Sequence, residues 1–170
     1  MSKTKSQLQR LLNQVPSPEE YQVAWQNVRQ DGSRGSVVLA ATLVEDSLRA
    51  LLISRMAPGV EKAGPKDLFG PWKPLSSFNA KIRMGFALNL YGEVTFHDLD
   101  LLRELRNLFA HGRLAVDFDT PAVKRAINEF HCHIRDEPDP RKRFYSVATL
   151  LLSHLALKRK DPKQGVRGLD

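Results

Sequence analysis

The clearest hydrophobic pattern lies in the stretch from Leu99 to His111. At about 100° per residue, its large apolar residues fall on one side of a helix. They are Leu101, Leu102, Leu105, Leu108 and Phe109. We expect this side to dock on a core through Leu101, Leu105 and Leu108, because a helix needs one apolar stripe to pack. Gly112 follows and can end the helix.

The other side of the same helix is polar. Arg103, Asn107 and His111 stack there at intervals of four residues, with Asp100 beside them and Arg106 at the border between the two sides. One interpretation is a solvated face that ends in a histidine, which the helix dipole favours near a C-terminus. The other is a functional row of an arginine, an amide and a histidine.

The same period predicts further helices along the chain. The longest runs from about 34 to 56 and is apolar on much of its circumference up to Val44, so we expect it to be central and largely buried. The other predicted helices lie at about 3–13, 19–30, 75–91, 95–111, 121–135 and 140–157. With neither internal repeats nor alternation of strands and helices, the pattern indicates an all-α, single-domain bundle of about six to seven helices.

Several helix ends can be predicted from residue type. Thr95 is the expected N-cap of the leucine-rich helix, with Asp98 three residues later as in a capping box. Gly92 is the expected stop of the preceding helix. In that helix, we expect Phe86 or Leu88 to point inward.

Two carboxylates, Glu45 and Asp46, interrupt the longest apolar helix. A lone carboxylate in a buried helix is costly unless it is paired. Two arrangements satisfy this requirement. Either both residues lie hydrated at an edge, or Glu45 faces Arg103 or Arg106.

Length and composition fit one ordinary domain. The chain has 170 residues, of which 42% are hydrophobic and 26% are charged. We divide it into an N-terminal basic segment with a short helix (1–15), a helical domain (16–157) and a basic disordered tail (158–170). Most of the net charge of +7 is carried by the two ends. Such tails can attract nucleic acid through its phosphates or simply keep a protein soluble.

The location and redox setting follow from what the sequence lacks. The basic N-terminus has no apolar core typical of a signal peptide, and no apolar run is long enough to span a bilayer. Cys132 is the single cysteine, so no internal disulfide can form. We expect a cytoplasmic protein without membrane contact.

The segment His131-Cys132-His133 superficially resembles a metal-binding motif. We expect it to lie on a helix, where the two imidazoles would point to different sides. No CxxC or HExxH motif accompanies it, and a structural zinc ion normally takes four ligands. The sequence therefore predicts neither a metal site nor a cofactor.

Several segments together resemble the mannitol operon repressor (MltR-like) family of bacterial proteins. They are Phe69, Pro74–Ile82, Ala87–Tyr91, Leu102–His111 and Phe118–Pro121, and the resemblance covers roughly residues 35–130. It implies an all-helical transcriptional regulator without a standard DNA-binding motif. It does not imply mannitol as the signal.

A looser resemblance involves the spacing of Arg106 and His111, which fits the R-x4-H pattern of HEPN domains, and Asn107 is the polar residue that commonly follows the arginine. This superfamily includes dimeric ribonucleases. The resemblance implies that Arg106 would bind phosphate and that His111 would act as general acid or base on a ribose hydroxyl.

These observations lead to three hypotheses. The first is a non-catalytic, repressor-type regulator that acts through protein contacts. The second is a metal-independent endoribonuclease that uses Arg106, Asn107 and His111. The third is a scaffold in which Glu45, Arg103 and the same three residues form an internal polar network. We also expect a homodimer, since the polar row and the apolar helix at 36–53 exceed what a lone bundle needs.

Overall fold

The computed structural model describes residues 19, 33–56, 68–111, 116–132 and 137–160. Every regular element in these ranges is helical, which confirms the all-α class. Five α-helices follow in chain order: α1 (Ser33–Ser54), α2 (Phe78–Ala87), α3 (Glu93–His111), α4 (Pro121–Glu129) and α5 (Pro140–Lys160). This is fewer than the six to seven expected for the whole chain, and the helices predicted at about 3–13 and 19–30 lie, apart from residue 19, outside the described residues.

Helix α1 is the central element, as its apolar circumference predicts. It packs against α2, α3 and α5, and many of its apolar side chains are fully buried, among them Val37, Leu48 and Leu51. Among its described side chains, the exposed residues are Arg34, Gly35, Thr42 and Ser54. The apolar surface of α1 is therefore used inside one chain. It no longer supports the predicted homodimer, which must rest on other surfaces.

The end of α2 differs from the prediction. The helix stops at Ala87, and Asn89 adopts a left-handed conformation with φ 53°. The backbone N–H of Leu90 donates to Gly85 O at 3.0 Å, and that of Asn89 donates to Phe86 O at 2.9 Å. This is a Schellman motif, in which asparagine takes the place that glycine usually fills.

Gly92 therefore precedes α3 instead of stopping α2. Phe86 and Leu88, one of which was expected to point inward, are both exposed. Tyr91 closes the turn on the inner side, because its hydroxyl donates to Ile82 O at 2.7 Å. A Cβ at position 85 would lie only 2.5 Å from that hydroxyl oxygen, so this close approach requires glycine.

Helix α3 begins two residues earlier than predicted, at Glu93. Thr95 is thus inside the helix and buried, so the predicted cap is wrong. The buried side of α3 consists of Thr95, Asp98, Leu99, Leu102, Leu105 and Phe109. Leu105 docks as predicted, while Leu101 is half-buried and Leu108 is exposed, because the covered side is centred on Leu102 and Leu105.

The segment after α4 also corrects the sequence analysis. Pro121 begins α4 as expected, but the helix ends at Glu129, and Phe130 is extended and buried. His131 and Cys132 therefore lie outside any helix. Helix α5 continues to Lys160, three residues past its predicted end at 157, and residues 161–170 lie outside the described residues. None of the helices described here combines the length and apolarity that crossing a bilayer would require.

Candidate functional site

Glu45 lies where α1, α2 and α3 meet, and it joins all three helices. Lys81 Nζ on α2 donates to Glu45 Oε1 at 2.5 Å, and Arg106 Nη2 on α3 donates to Glu45 Oε2 at 3.1 Å. The ammonium also donates to Ser76 O at 3.2 Å. The guanidinium carbon of Arg106 lies 5.9 Å from the centre of the Phe78 ring, a cation–π distance. Of the two arginines expected to face Glu45, the structure brings Arg106 to it.

This ion cluster is nearly closed to water. Lys81 is buried, while Glu45 and Arg106 are half-buried, so each carboxylate oxygen has a cationic donor in a region of reduced dielectric. A phosphate group that approached Arg106 would have to compete with Glu45 for the guanidinium. The arrangement is therefore suited to holding three helices together.

Asp46, the neighbour of Glu45, lies where its ionised form is disfavoured. Burial raises the pKa of the Asp46 carboxyl, and the adjacent negative charge of Glu45 raises it further, against smaller opposing effects of Arg49 and Lys81. Lys81 thus acts on both carboxylates of α1. Glu45 makes the direct contacts.

The remaining residues of the polar row are not gathered into one cluster. Arg103 pairs within its own helix, with Nε donating to Asp100 Oδ1 at 2.9 Å and Nη2 donating to Glu104 Oε1 at 2.5 Å. Asn107 is half-buried and His111 is exposed in the last turn of α3. Within the described part of the chain, neither side chain hydrogen-bonds to another residue.

A second polar cluster was not anticipated from the sequence, and it is centred on Asp98. This carboxylate is fully buried on α3. Its Oδ1 accepts the backbone N–H of His131 at 3.0 Å, and its Oδ2 accepts that of Cys132 at 2.7 Å. The imidazoles of His97 and His131 both turn their Nδ1 atoms toward Oδ1, at 3.1 and 3.3 Å, and these two nitrogens lie 3.1 Å apart.

The electrostatics of this cluster follow from its contacts. Burial by itself raises the pKa of the Asp98 carboxyl, but the two backbone N–H groups and the two imidazoles outweigh burial, and the net effect lowers that pKa. Burial raises the pKa of the Cys132 thiol to about 11, and the Asp98 carboxylate acts in the same direction. Asp98 is thus a buried anion at neutral pH, and Cys132 is a protonated thiol.

One signal in the sequence could have revealed this cluster. Asp98 occupies the same stripe of α3 as Leu102 and Leu105, and an ionised side chain on an apolar stripe is rare unless it is paired. The partners could not be found by spacing, because His131 is more than thirty residues away in the sequence. The helix predicted over 121–135 also hid the contact, because the real helix ends at Glu129 and His131 lies outside it.

Comparison with known proteins gives one informative result. No family model matches the sequence, and the search of curated proteins gives no significant match. Among solved structures, a chain in the X-ray structure of the MtlR-HPr complex from Escherichia coli is similar, with a TM-score of 0.65 and 16% sequence identity. The match covers 79% of this chain and 97% of that chain. At this identity the likeness establishes the fold alone: this chain is built like a chain of the MtlR-HPr complex.

Proposed function

We propose that this protein is a non-catalytic, repressor-type transcriptional regulator that acts in the cytoplasm by binding a partner protein. The observation that carries the proposal is the likeness of fold to a chain of the MtlR-HPr complex over nearly the whole of that chain. MtlR and HPr form a complex with each other, which makes an HPr-type protein the first candidate partner here. The residue resemblance to the mannitol operon repressor (MltR-like) family points in the same direction.

The turn between α2 and α3 is the surface that we assign to the partner. Met84, Phe86 and Leu88 are exposed at the end of α2, and Val94 is exposed in the first turn of α3. Four exposed apolar side chains within eleven consecutive residues are more than scattered surface hydrophobics would give. The Schellman motif and the bond from the Tyr91 hydroxyl to Ile82 hold this turn in shape, so a partner would meet a preformed surface.

The test is titration of the purified protein with HPr from Escherichia coli by isothermal titration calorimetry. We expect a complex with a dissociation constant of about 1–100 μM, in the range of transient regulatory contacts. Leu88→Lys should weaken binding at least tenfold. Leu150→Lys is the matched control, because Leu88 and Leu150 are 41% and 42% exposed and both changes add the same charge.

Absence of binding up to 1 mM HPr would contradict the assigned partner. Equal weakening by both lysine variants would contradict the assigned surface.

The expected homodimer is tested separately, by sedimentation of the free protein. A monomer at micromolar concentration would remove the dimer from the proposal.

An endoribonuclease using Arg106 and His111 is the alternative from another class. It requires Arg106 to be available for phosphate, whereas here its guanidinium donates to Glu45. Incubation with RNA in the presence of EDTA distinguishes the two functions. Cleavage that disappears in both Arg106→Ala and His111→Ala, with unchanged circular dichroism, would overturn the regulator. A general acid–base group contributes about 10²–10⁴ in rate, so the loss would be unmistakable.

A further inference from the structure

The Asp98 cluster brings three metal-ligating atoms to one point. His97 Nδ1, His131 Nδ1 and Asp98 Oδ1 lie 3.1, 3.1 and 3.3 Å from one another. They come from two elements, since His97 and Asp98 are in α3 and His131 follows α4. We propose that these three residues bind a divalent transition-metal ion of the zinc type. This inference is independent of the proposed function.

The spacing of the three atoms suits such an ion. Zinc binds imidazole nitrogen and carboxylate oxygen at about 2.0–2.2 Å, usually in tetrahedral geometry. Two ligand atoms of a tetrahedron with these bond lengths lie about 3.3–3.6 Å apart. The three separations here fall at or just below that range. A small adjustment of the exposed imidazoles would seat the ion.

When both imidazoles are neutral, hydrogen bonds leave at least one of the three contacts unfavourable. In a neutral imidazole, Nδ1 carries either a proton or a lone pair. If both rings direct an N–H toward Asp98 Oδ1, the two N–H groups face each other across 3.1 Å. If one ring donates to the other, a lone pair of the second ring faces the carboxylate oxygen. A cation among the three atoms satisfies both rings and the oxygen together.

The surroundings hold the oxygen ligand in place and leave the site open. The backbone N–H groups of His131 and Cys132 fix both oxygens of Asp98, and such outer-shell bonds orient ligands in metal sites. The side chains of His97 and His131 are 45% and 55% exposed, so an ion can enter from solvent. A water molecule can complete the coordination from this exposed side.

The ligand set indicates which ions fit. Two imidazoles and one carboxylate suit zinc and its neighbours in the first transition series, whereas magnesium and calcium prefer oxygen ligands throughout. Affinity should therefore follow zinc over cobalt, with no measurable magnesium binding. A bound ion would cross-link α3 to the irregular segment after α4.

The test is titration of the chelator-treated full chain with zinc in competition with a chromophoric chelator. We expect one zinc ion per chain, a dissociation constant in the micromolar range or tighter, and a higher thermal midpoint when zinc is present. Cobalt should give the visible absorption of a four-coordinate ion. Binding weaker than 1 mM would overturn the proposal.

Variants identify the site without disturbing the fold. His97→Gln and His131→Gln each remove one ligand at an exposed position, and the backbone bond from residue 131 to Asp98 survives the change. Each should weaken zinc binding at least tenfold and abolish the shift of the thermal midpoint. His154→Gln is the control, a histidine on α5 that is not among the three proposed ligands, and it should change neither. Zinc affinity that is unchanged in both ligand variants would show that the ion binds elsewhere and would overturn the assignment.

Discussion

Glu45 and Asp98 are two carboxylates embedded in one small bundle, and they are stabilised in opposite ways. Glu45 is neutralised by the side chains of Lys81 and Arg106, which reach it from two other helices. Asp98 has no formal cation among its described partners when the two histidines are neutral, and its firmest contacts are two backbone N–H groups. Glu45 is therefore paired with two cationic side chains, while Asp98 faces two half-exposed imidazoles.

The difference shows how to separate a structural ion cluster from a candidate site. Around Glu45, each carboxylate oxygen already accepts from a cation, and a ligand would have to break a pair that joins three helices. Around Asp98, the two Nδ1 atoms compete for the same oxygen, so the cluster gains by accepting a cation. Incomplete satisfaction at a place open to solvent is the better indication of binding.

The largest expected effect is that of Asp98→Ala. It leaves the backbone N–H groups of His131 and Cys132 without their acceptor. The free energy of unfolding should therefore fall by about 3–6 kcal/mol, since bonds to a charged group contribute about 1.5–3 kcal/mol each. Urea unfolding of the metal-free protein measures the loss. Asp117→Ala is the control, because Asp117 also accepts two backbone N–H groups but is exposed. If the two losses are equal, burial of Asp98 contributes nothing.

Glu45→Ala should have the next largest effect. It leaves the buried ammonium of Lys81 unpaired, and we expect a loss of about 2 kcal/mol in the free energy of unfolding, below the range for fully buried pairs because Glu45 is only half-buried. Glu104→Ala removes a comparable partner from Arg103 at an exposed position and should cost less than about 1 kcal/mol. Chemical denaturation of both variants makes the comparison. A smaller loss for Glu45→Ala would show that the three-helix cluster is not stabilising.

The smallest effect concerns the pH dependence of stability, to which Asp98 and Asp46 contribute in opposite directions. Because the folded-state pKa of Asp98 is lowered, its stabilisation is complete above the unfolded value of about 3.9 and is lost as the pH falls through the folded value. Asp46 has a raised pKa, so its ionisation destabilises the fold at neutral pH, and this cost disappears as the pH falls through the raised value.

Asp46→Asn should therefore increase the free energy of unfolding at pH 7 by about 0.5 kcal/mol, a small figure because the side chain is partly hydrated. Thermal unfolding at pH 7 and pH 4 measures the difference, which should shrink at the lower pH. A stabilisation that grows toward pH 4 would reverse the assigned direction of the Asp46 shift.

The amino-acid sequence by itself determined the helical class, the central position of α1 and the burial of Leu105. These features follow from apolar residues at helical spacing, which acts within one segment. The Pro121 start of α4 is equally local. Helix ends depended on more than residue type. Thr95 and Gly92 have the right chemistry for a cap and a stop, but the Schellman motif at Asn89 and the buried stripe of α3 placed the boundaries elsewhere.

Only the tertiary structure decided which polar residues meet. The sequence permitted Glu45 to face Arg103, Arg106 or water, and the packing of α1 on α3 brought Arg106 to it. Asp98 meets His131 because Phe130 is buried in an extended conformation at the end of α4, which turns the following backbone N–H groups toward α3. Periodicity describes the faces of single helices, whereas both clusters depend on how helices distant in the sequence pack together.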